Sequence, residues 1–131
     1  MTDRVAAHTD SAPAPGGPYS QAIRAGGLIA TAGQVGIDPA SGKLAGPDVR
    51  DQARQALLNT FAVVEAAGGR TEDIIRIGVF LAEVADFAAM NEVYADLVPR
   101  PFPARTTVYV GLPPGVKVEI DALAAPPPGS A

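Results

Sequence analysis

The chain contains no cysteine, and its only histidine is His8. Without cysteine there is no disulfide, no thiolate nucleophile and no thiolate metal ligand. One histidine cannot build a His-rich metal site. It could serve a Ser-His-Asp triad only if the polar stretch around it is ordered. Positive charge is sparse: two lysines and eight arginines are scattered against 14 acidic residues, for a net charge of -4 and a pI of about 4.8. Nucleic-acid binding needs clustered cations to displace counterions, and no basic tract is present. No apolar run reaches the ~18 residues of a membrane span, and residues 1–18 hold no apolar signal-peptide segment. These absences predict a soluble, cytoplasmic protein with neither nucleic-acid nor membrane partners. Chemistry is left to Arg, Asp, Glu, Tyr, Ser and Thr side chains and to the backbone.

What is present suits one domain. A length of 131 residues with 47% hydrophobic content can bury a single core. Residues 1–17 read as a flexible leader, 18–124 as the domain and 125–131 as a disordered tail rich in proline. PYSQAIRA at 18–25 and LIATAGQV at 28–35 read as a hairpin about Gly26-Gly27. Within the second strand, Gly33 marks a bulge or a close backbone approach. DPASG at 38–42 is a turn signal, with a short strand near Leu44. Asp48 reads as the N-cap of a long amphipathic helix that ends at Gly68-Gly69. IIRIGVFL at 74–81 reads as a central strand. Asp86 reads as the cap of a second helix, with Phe87, Met90, Val93/Tyr94 and Leu97 on its apolar face and Pro99 as its stop. Phe87 and Met90 fit a ligand box or, at this spacing, the core.

The segment RTTVYVGLPPGVKVEIDALA, 105–124, alternates with period two and reads as two strands about the turn Pro113-Pro114-Gly115. Its even positions are nearly all apolar and predict a core face under the helices. Its odd positions carry Arg105, Thr107, Tyr109, Lys117, Glu119 and Asp121. A solvated face is the default for such a pattern. The aromatic and glycine content, with a central strand apolar on both sides, favours a subunit interface. A tight hairpin would pair Tyr109 with Glu119. Arg105 and Glu119 would then share a face about 13 Å apart, too far for one small substrate unless a second chain closes the gap, the turn register differs or the arginine leans along its strand. On residues alone, Arg105 reads as a strand-end ion-pair partner of Asp121 or Glu119.

GPYSQAI at 17–23, TAGQV at 31–35, NEVY at 91–94, PARTTV at 103–108 and VEIDALA at 118–124 together resemble the Rid family, the reactive intermediate or imine deaminases. The resemblance runs from about Ala14 to Ala124. It implies an α+β chorismate-mutase-like fold, a single mixed β-sheet with two helices on one face, assembled as a homotrimer with its sites between subunits. It implies hydrolysis of reactive 2-imino acids and their enamine tautomers to 2-keto acids and ammonia, with no cofactor and no metal. By position, Arg105 would hold the substrate carboxylate and Glu119 would orient or activate water. Tyr19, Ala32, Gly33, Phe87 and Thr107 would line the substrate site. Many relatives have serine where this chain has Ala32 and cysteine where it has Thr107, which bears on substrate preference and rate.

The chemistry is consistent with those residue types. A guanidinium binds a carboxylate through two parallel hydrogen bonds, and a carboxylate beside water is a general base worth roughly 10²–10⁴-fold. Three other readings stay open: a pathway-specific relative acting on another enamine acid, a non-catalytic binder of small carboxylates, and an RNA-cleaving protein. The last is disfavoured by the acidic pI and the missing histidine pair.

Overall fold

The computed structural model describes residues 3–129. These form, in chain order, β1 (Val5–Ala7), β2 (Ala22–Ala25), β3 (Leu28–Thr31), β4 (Gln34–Val35), β5 (Ile37–Asp38) and β6 (Lys43–Leu44). Next come α1 (Val49–Ala66), β7 (Ile74–Leu81), α2 (Phe87–Leu97), β8 (Ala104–Tyr109) and β9 (Val118–Ala124). One mixed sheet runs β1-β2-β3-β9-β7-β8, with β4 also on β9, while β5 and β6 make a separate ribbon. The α+β architecture with two helices on one sheet face is as expected. No helix among the described residues is long and apolar enough to cross a membrane.

Local chemistry accounts for most boundaries. Gly26 and Gly27 both have positive φ at the first hairpin, where side chains are disfavoured. The Asp48 carboxylate accepts from Arg50 N and caps α1. Past its end, Gly68 turns left-handed at φ 93°. Asp86 is a correction. A short 3-10 turn, Val84–Asp86, leads into α2 and the Asp86 side chain makes no cap bond. Its Oδ2 is buried with no partner among the described residues.

The core lies between helices and sheet. Ile77, Val79 and Leu81 of β7 and Val118, Ile120, Ala122 and Ala124 of β9 meet Ala53, Leu57, Val63 and Val64 of α1 and Met90 of α2 in one buried cluster. The even positions of β9 therefore face the helices, as the alternation predicts.

Three expectations for strand pairing change. First, β8 and β9 are not a hairpin. β7 lies between them, parallel to β8 and antiparallel to β9. The turn itself forms as read: Val116 N donates to Pro113 O, with Gly115 at φ 82°, a type II arrangement. It is held away from β8 by Gln52 of α1, fully buried. Gln52 Nε2 donates to Gly46 O and Gly115 O, and its Oε1 accepts from Lys117 N. Second, β8 has the opposite phase. Paired residues on neighbouring strands share a face, so Arg105 and Thr107, opposite buried Ile77 and Val79, lie on the helix side. Thr106 and Val108 lie on the open face and are exposed. Third, the stretch read as a flexible leader is built into the sheet from Val5, which pairs with Arg24. Buried Gln21 fastens the rest through Thr9 N, Thr9 O and Pro13 O. At the other end Ala125 N bonds Asp73 O, and residues 130–131 lie outside the described residues.

Candidate active site

The residues expected to form the site fall into two groups on opposite faces of the sheet. The first group surrounds Arg105. Its guanidinium carbon lies 4.7 Å from the centre of the Tyr94 ring and 5.7 Å from that of Phe87, both on α2. Thr107 follows on the same face of β8, half-buried. Among the described residues the ion pairs are His8–Asp10, Arg50–Glu92 and Arg70–Asp73. Arg105 is in none of them, so the expected bridge to Asp121 or Glu119 does not form.

Two further residues belong to this group and were not singled out as site residues from the sequence. Tyr94 is buried, and its hydroxyl has no hydrogen-bond partner among the described residues. Burial raises the Tyr94 pKa above its ordinary 10.0, and the nearby Arg105 charge offsets part of that rise. Asn91 lies between Phe87 and Tyr94 on the same helix stripe, at i+4 from one and i−3 from the other. Its Oδ1 is also buried without a partner among the described residues. The signal was available: buried polar atoms are normally paired, and Asn91 and Tyr94 open and close the NEVY motif.

The second group surrounds Glu119. On β9 it is paired with Val35 of β4 and Phe80 of β7, on the open face. Between β3 and β4 the register against β9 slips by one residue: Ala30 pairs with Leu123, but Gln34 pairs with Ile120. This is a bulge, and Ala32 and Gly33 sit in it. The Glu119 carboxylate occupies the space a side chain at Gly33 would need. A Cβ there would lie 2.2 Å from its Oε2. Ala32 N is already used, donating to Gln21 O at 2.8 Å. Tyr19 is 53% exposed, and its hydroxyl accepts from Gly16 N. Tyr19 and Gly33 line a cleft of about 180 Å³ with Gly16, Gln21 and Val35. A larger depression, about 390 Å³, is lined by Ile75, Arg100 and Phe102 among others and includes none of the candidate residues.

Within one chain the two groups do not meet around a small ligand. Arg105 shares a row with Ile77 and Ala122, three positions along β9 from Glu119. Two strand spacings across and three residues along give roughly 14 Å between backbones, with the side chains on opposite faces. Arg105, Thr107, Phe87, Asn91 and Tyr94 thus form one half, and Glu119, Gly33, Ala32 and Tyr19 the other. Among the described residues no three His, Cys, Asp or Glu side chains gather in a metal-holding arrangement.

The chain belongs to the family described as Endoribonuclease L-PSP, whose model matches residues 9–126. It is 49% identical over 117 residues to a RutC family protein of Pyrococcus horikoshii, covering 88% of this chain and 93% of that protein. It is 44% identical over 120 residues to the 2-iminobutanoate/2-iminopropanoate deaminase of Salmonella typhimurium, again covering 88% and 93%. The crystal structure of E. coli TdcF with bound serine superposes with a TM-score of 0.87 at 41% identity, over 92% of this chain and 98% of that one. The Rid resemblance carried by the five motifs therefore holds for sequence and fold alike.

Proposed function

We propose that this protein is a cofactor-free cytoplasmic deaminase that hydrolyses 2-imino acids and their enamine tautomers to 2-keto acids and ammonia. The observation that carries the proposal is Arg105, a half-buried guanidinium with no carboxylate partner among the described residues. Such a group is free to take the carboxylate of a substrate in bidentate fashion. Relatives bearing the deaminase name support the reaction class.

The two halves imply the assembly. One copy presents Arg105 at one patch and Glu119 at another. A contact that joins the first patch of one copy to the second patch of the next is head-to-tail, and such contacts make a closed ring when the rotation between copies closes. A trimer, as the Rid resemblance implies, would hold three complete sites. Exposed Val108, at 37%, and the buried, unpartnered Asp121 Oδ1 on the open face support burial of that face by another copy.

In such a site Arg105 fixes the carboxylate next to the imine carbon. Glu119 takes a proton from water as the hydroxyl adds to that carbon. The resulting carbinolamine collapses to the keto acid, its nitrogen protonated and leaving as ammonia. Imine and water supply every atom of keto acid and ammonia. Tyr19, Ala32, Gly33 and Thr107 line the substrate, and the missing hydroxyl at Ala32 bears on which imino acid is preferred.

The test is 2-keto acid release from imine made in situ by an amino-acid oxidase, with semicarbazide competing for the imine. Wild type should suppress semicarbazone formation and Arg105→Ala should not. If wild type has no effect on small or large imino acids, the proposal fails. A carboxylate binder without catalysis is the second reading, favoured only by the separation of Arg105 from Glu119 within one chain. It predicts that Glu119→Gln leaves both ligand affinity and the solution rate of imine hydrolysis unchanged. An RNA-cleaving role, suggested by the family description, finds little support in an acidic chain whose His8 is exposed and bonded to Asp10.

A further inference from the structure

We infer that Phe87 and Tyr94 are positioning residues, a pair of ring faces that hold the Arg105 guanidinium in place without occupying its donors as a carboxylate would. The inference rests on the reading of Arg105 as the carboxylate anchor and adds how that anchor is kept available.

A half-buried cation needs compensation, and the usual solution is a carboxylate. A carboxylate on Arg105 would occupy the same donors that a substrate carboxylate needs. Aromatic rings solve the problem differently. Their negative faces attract the cation from above its plane, whereas the guanidinium donors point outward within the plane. The charge is thereby supported without being neutralised. The guanidinium carbon lies over both ring faces, within about 6 Å of each centre, and no ion pair among the described residues includes it.

Sequence spacing makes the pair possible. Phe87 and Tyr94 are seven apart, two turns along one stripe of α2. Arg105 comes from β8, the edge strand on that side of the sheet, with the phase that turns it toward the helices. Phe87 therefore faces the arginine rather than completing the core. It remains 38% exposed, whereas Met90 is fully buried. The Tyr94 hydroxyl takes no part among the described residues, so the ring face alone is assigned the role.

The experiment compares steady-state imine hydrolysis by Tyr94→Phe, Tyr94→Leu, Phe87→Leu and Arg105→Ala, and urea midpoints for each Leu change in the wild-type and in the Arg105→Ala background. Loss of one ring should raise KM about 5- to 30-fold, the range a partly desolvated cation–π contact allows, with kcat little changed. Tyr94→Phe should restore the wild-type KM. Each Leu change should lower the urea midpoint less in the Arg105→Ala background than in wild type, because the group on which the rings act is gone. Phe87, being partly exposed, supplies the test if Tyr94→Leu does not fold. Equal losses of urea midpoint with and without Arg105 would show that the rings are merely structural and would overturn the inference alone. An unchanged KM in Arg105→Ala would overturn the anchor reading and this inference with it.

Discussion

Replacing Gly33 by alanine should separate catalysis from folding. The added Cβ would sit 2.2 Å from Glu119 Oε2 and 2.9 Å from its Cδ. Ordinary contact begins near 3.4 Å, so the carboxylate must retreat by about 1 Å. The obstacle is the far end of a flexible side chain, so the backbone need not move. Gly33 is also absent from the positive-φ positions, and alanine there carries no conformational penalty. The unfolded chain loses some freedom, which stabilises by about 0.4–1 kcal/mol in unstrained cases. A base displaced by about 1 Å costs on the order of 100-fold in rate. The expected result is a Tm equal to or slightly above wild type, with kcat/KM for a 2-imino acid down about 100-fold. Circular-dichroism melting and the semicarbazide assay measure the two quantities. Gly36→Ala is the contrast: its Cβ would meet the Gln52 backbone at 2.5 Å, and that variant should lose stability. Wild-type turnover in Gly33→Ala would refute the placement of Glu119 as base against this glycine.

Two other outcomes follow from buried polar groups. Tyr94 has a raised pKa, chiefly through burial. A raised folded-state pKa gives a contribution that is intact below pH 10 and lost as pH climbs from 10 toward the folded value. Wild type should therefore lose stability above pH 10 relative to Tyr94→Phe, and near neutrality the variant should match or exceed wild type because an unpaired hydroxyl is removed; urea melts at pH 8 and pH 11 check both. Gln52→Leu strips the turn at 113–116 of its tie to α1 and leaves Gly46 O, Gly115 O and Lys117 N without that partner. A loss of about 3 kcal/mol is expected from orphaned buried groups, read as a lower urea midpoint.

The sequence displayed those features whose cause is local. Asp48 caps because a short carboxylate can reach the free amides of a helix start. Gly26, Gly27, Gly68 and Gly115 sit where φ is positive. The alternation of β9 reports one face under the helices. Gly33 reads as a bulge or close approach, and it is both. Strand partnership was not legible in the same way. Period-two alternation in 105–112 and 116–124 fits a hairpin as well as two strands separated by a third, and the deciding contacts come from Gln52, more than fifty residues away from the turn. The phase of β8 is hidden in the sequence because Thr106 and Val108 look like core residues, while the face they occupy is open within one chain. β1 escaped notice because its neighbours are held by the amide of Gln21 and not by apolar periodicity.

The same division applies to the site. Arg105, Glu119, Tyr19, Ala32, Gly33, Phe87 and Thr107 were all named from the sequence, yet their sorting into two halves depends on sheet order. Asn91 and Tyr94 become candidates only once their unpartnered atoms are seen on the stripe facing Arg105.

Subunit mixing tests the central claim, that a complete site takes Arg105 from one copy and Glu119 from the next. Arg105→Ala and Glu119→Gln would each be purified inactive, then unfolded, mixed in equal amounts and refolded together. In a head-to-tail ring a site works when its first half comes from a Glu119→Gln copy and its second half from an Arg105→Ala copy. Random assembly gives this at about one site in four, so about a quarter of wild-type imine hydrolysis should return. No activity in the mixture, with refolded wild type active and the two variants shown to co-assemble, would mean that both residues serve one site within a single chain, and would contradict the account.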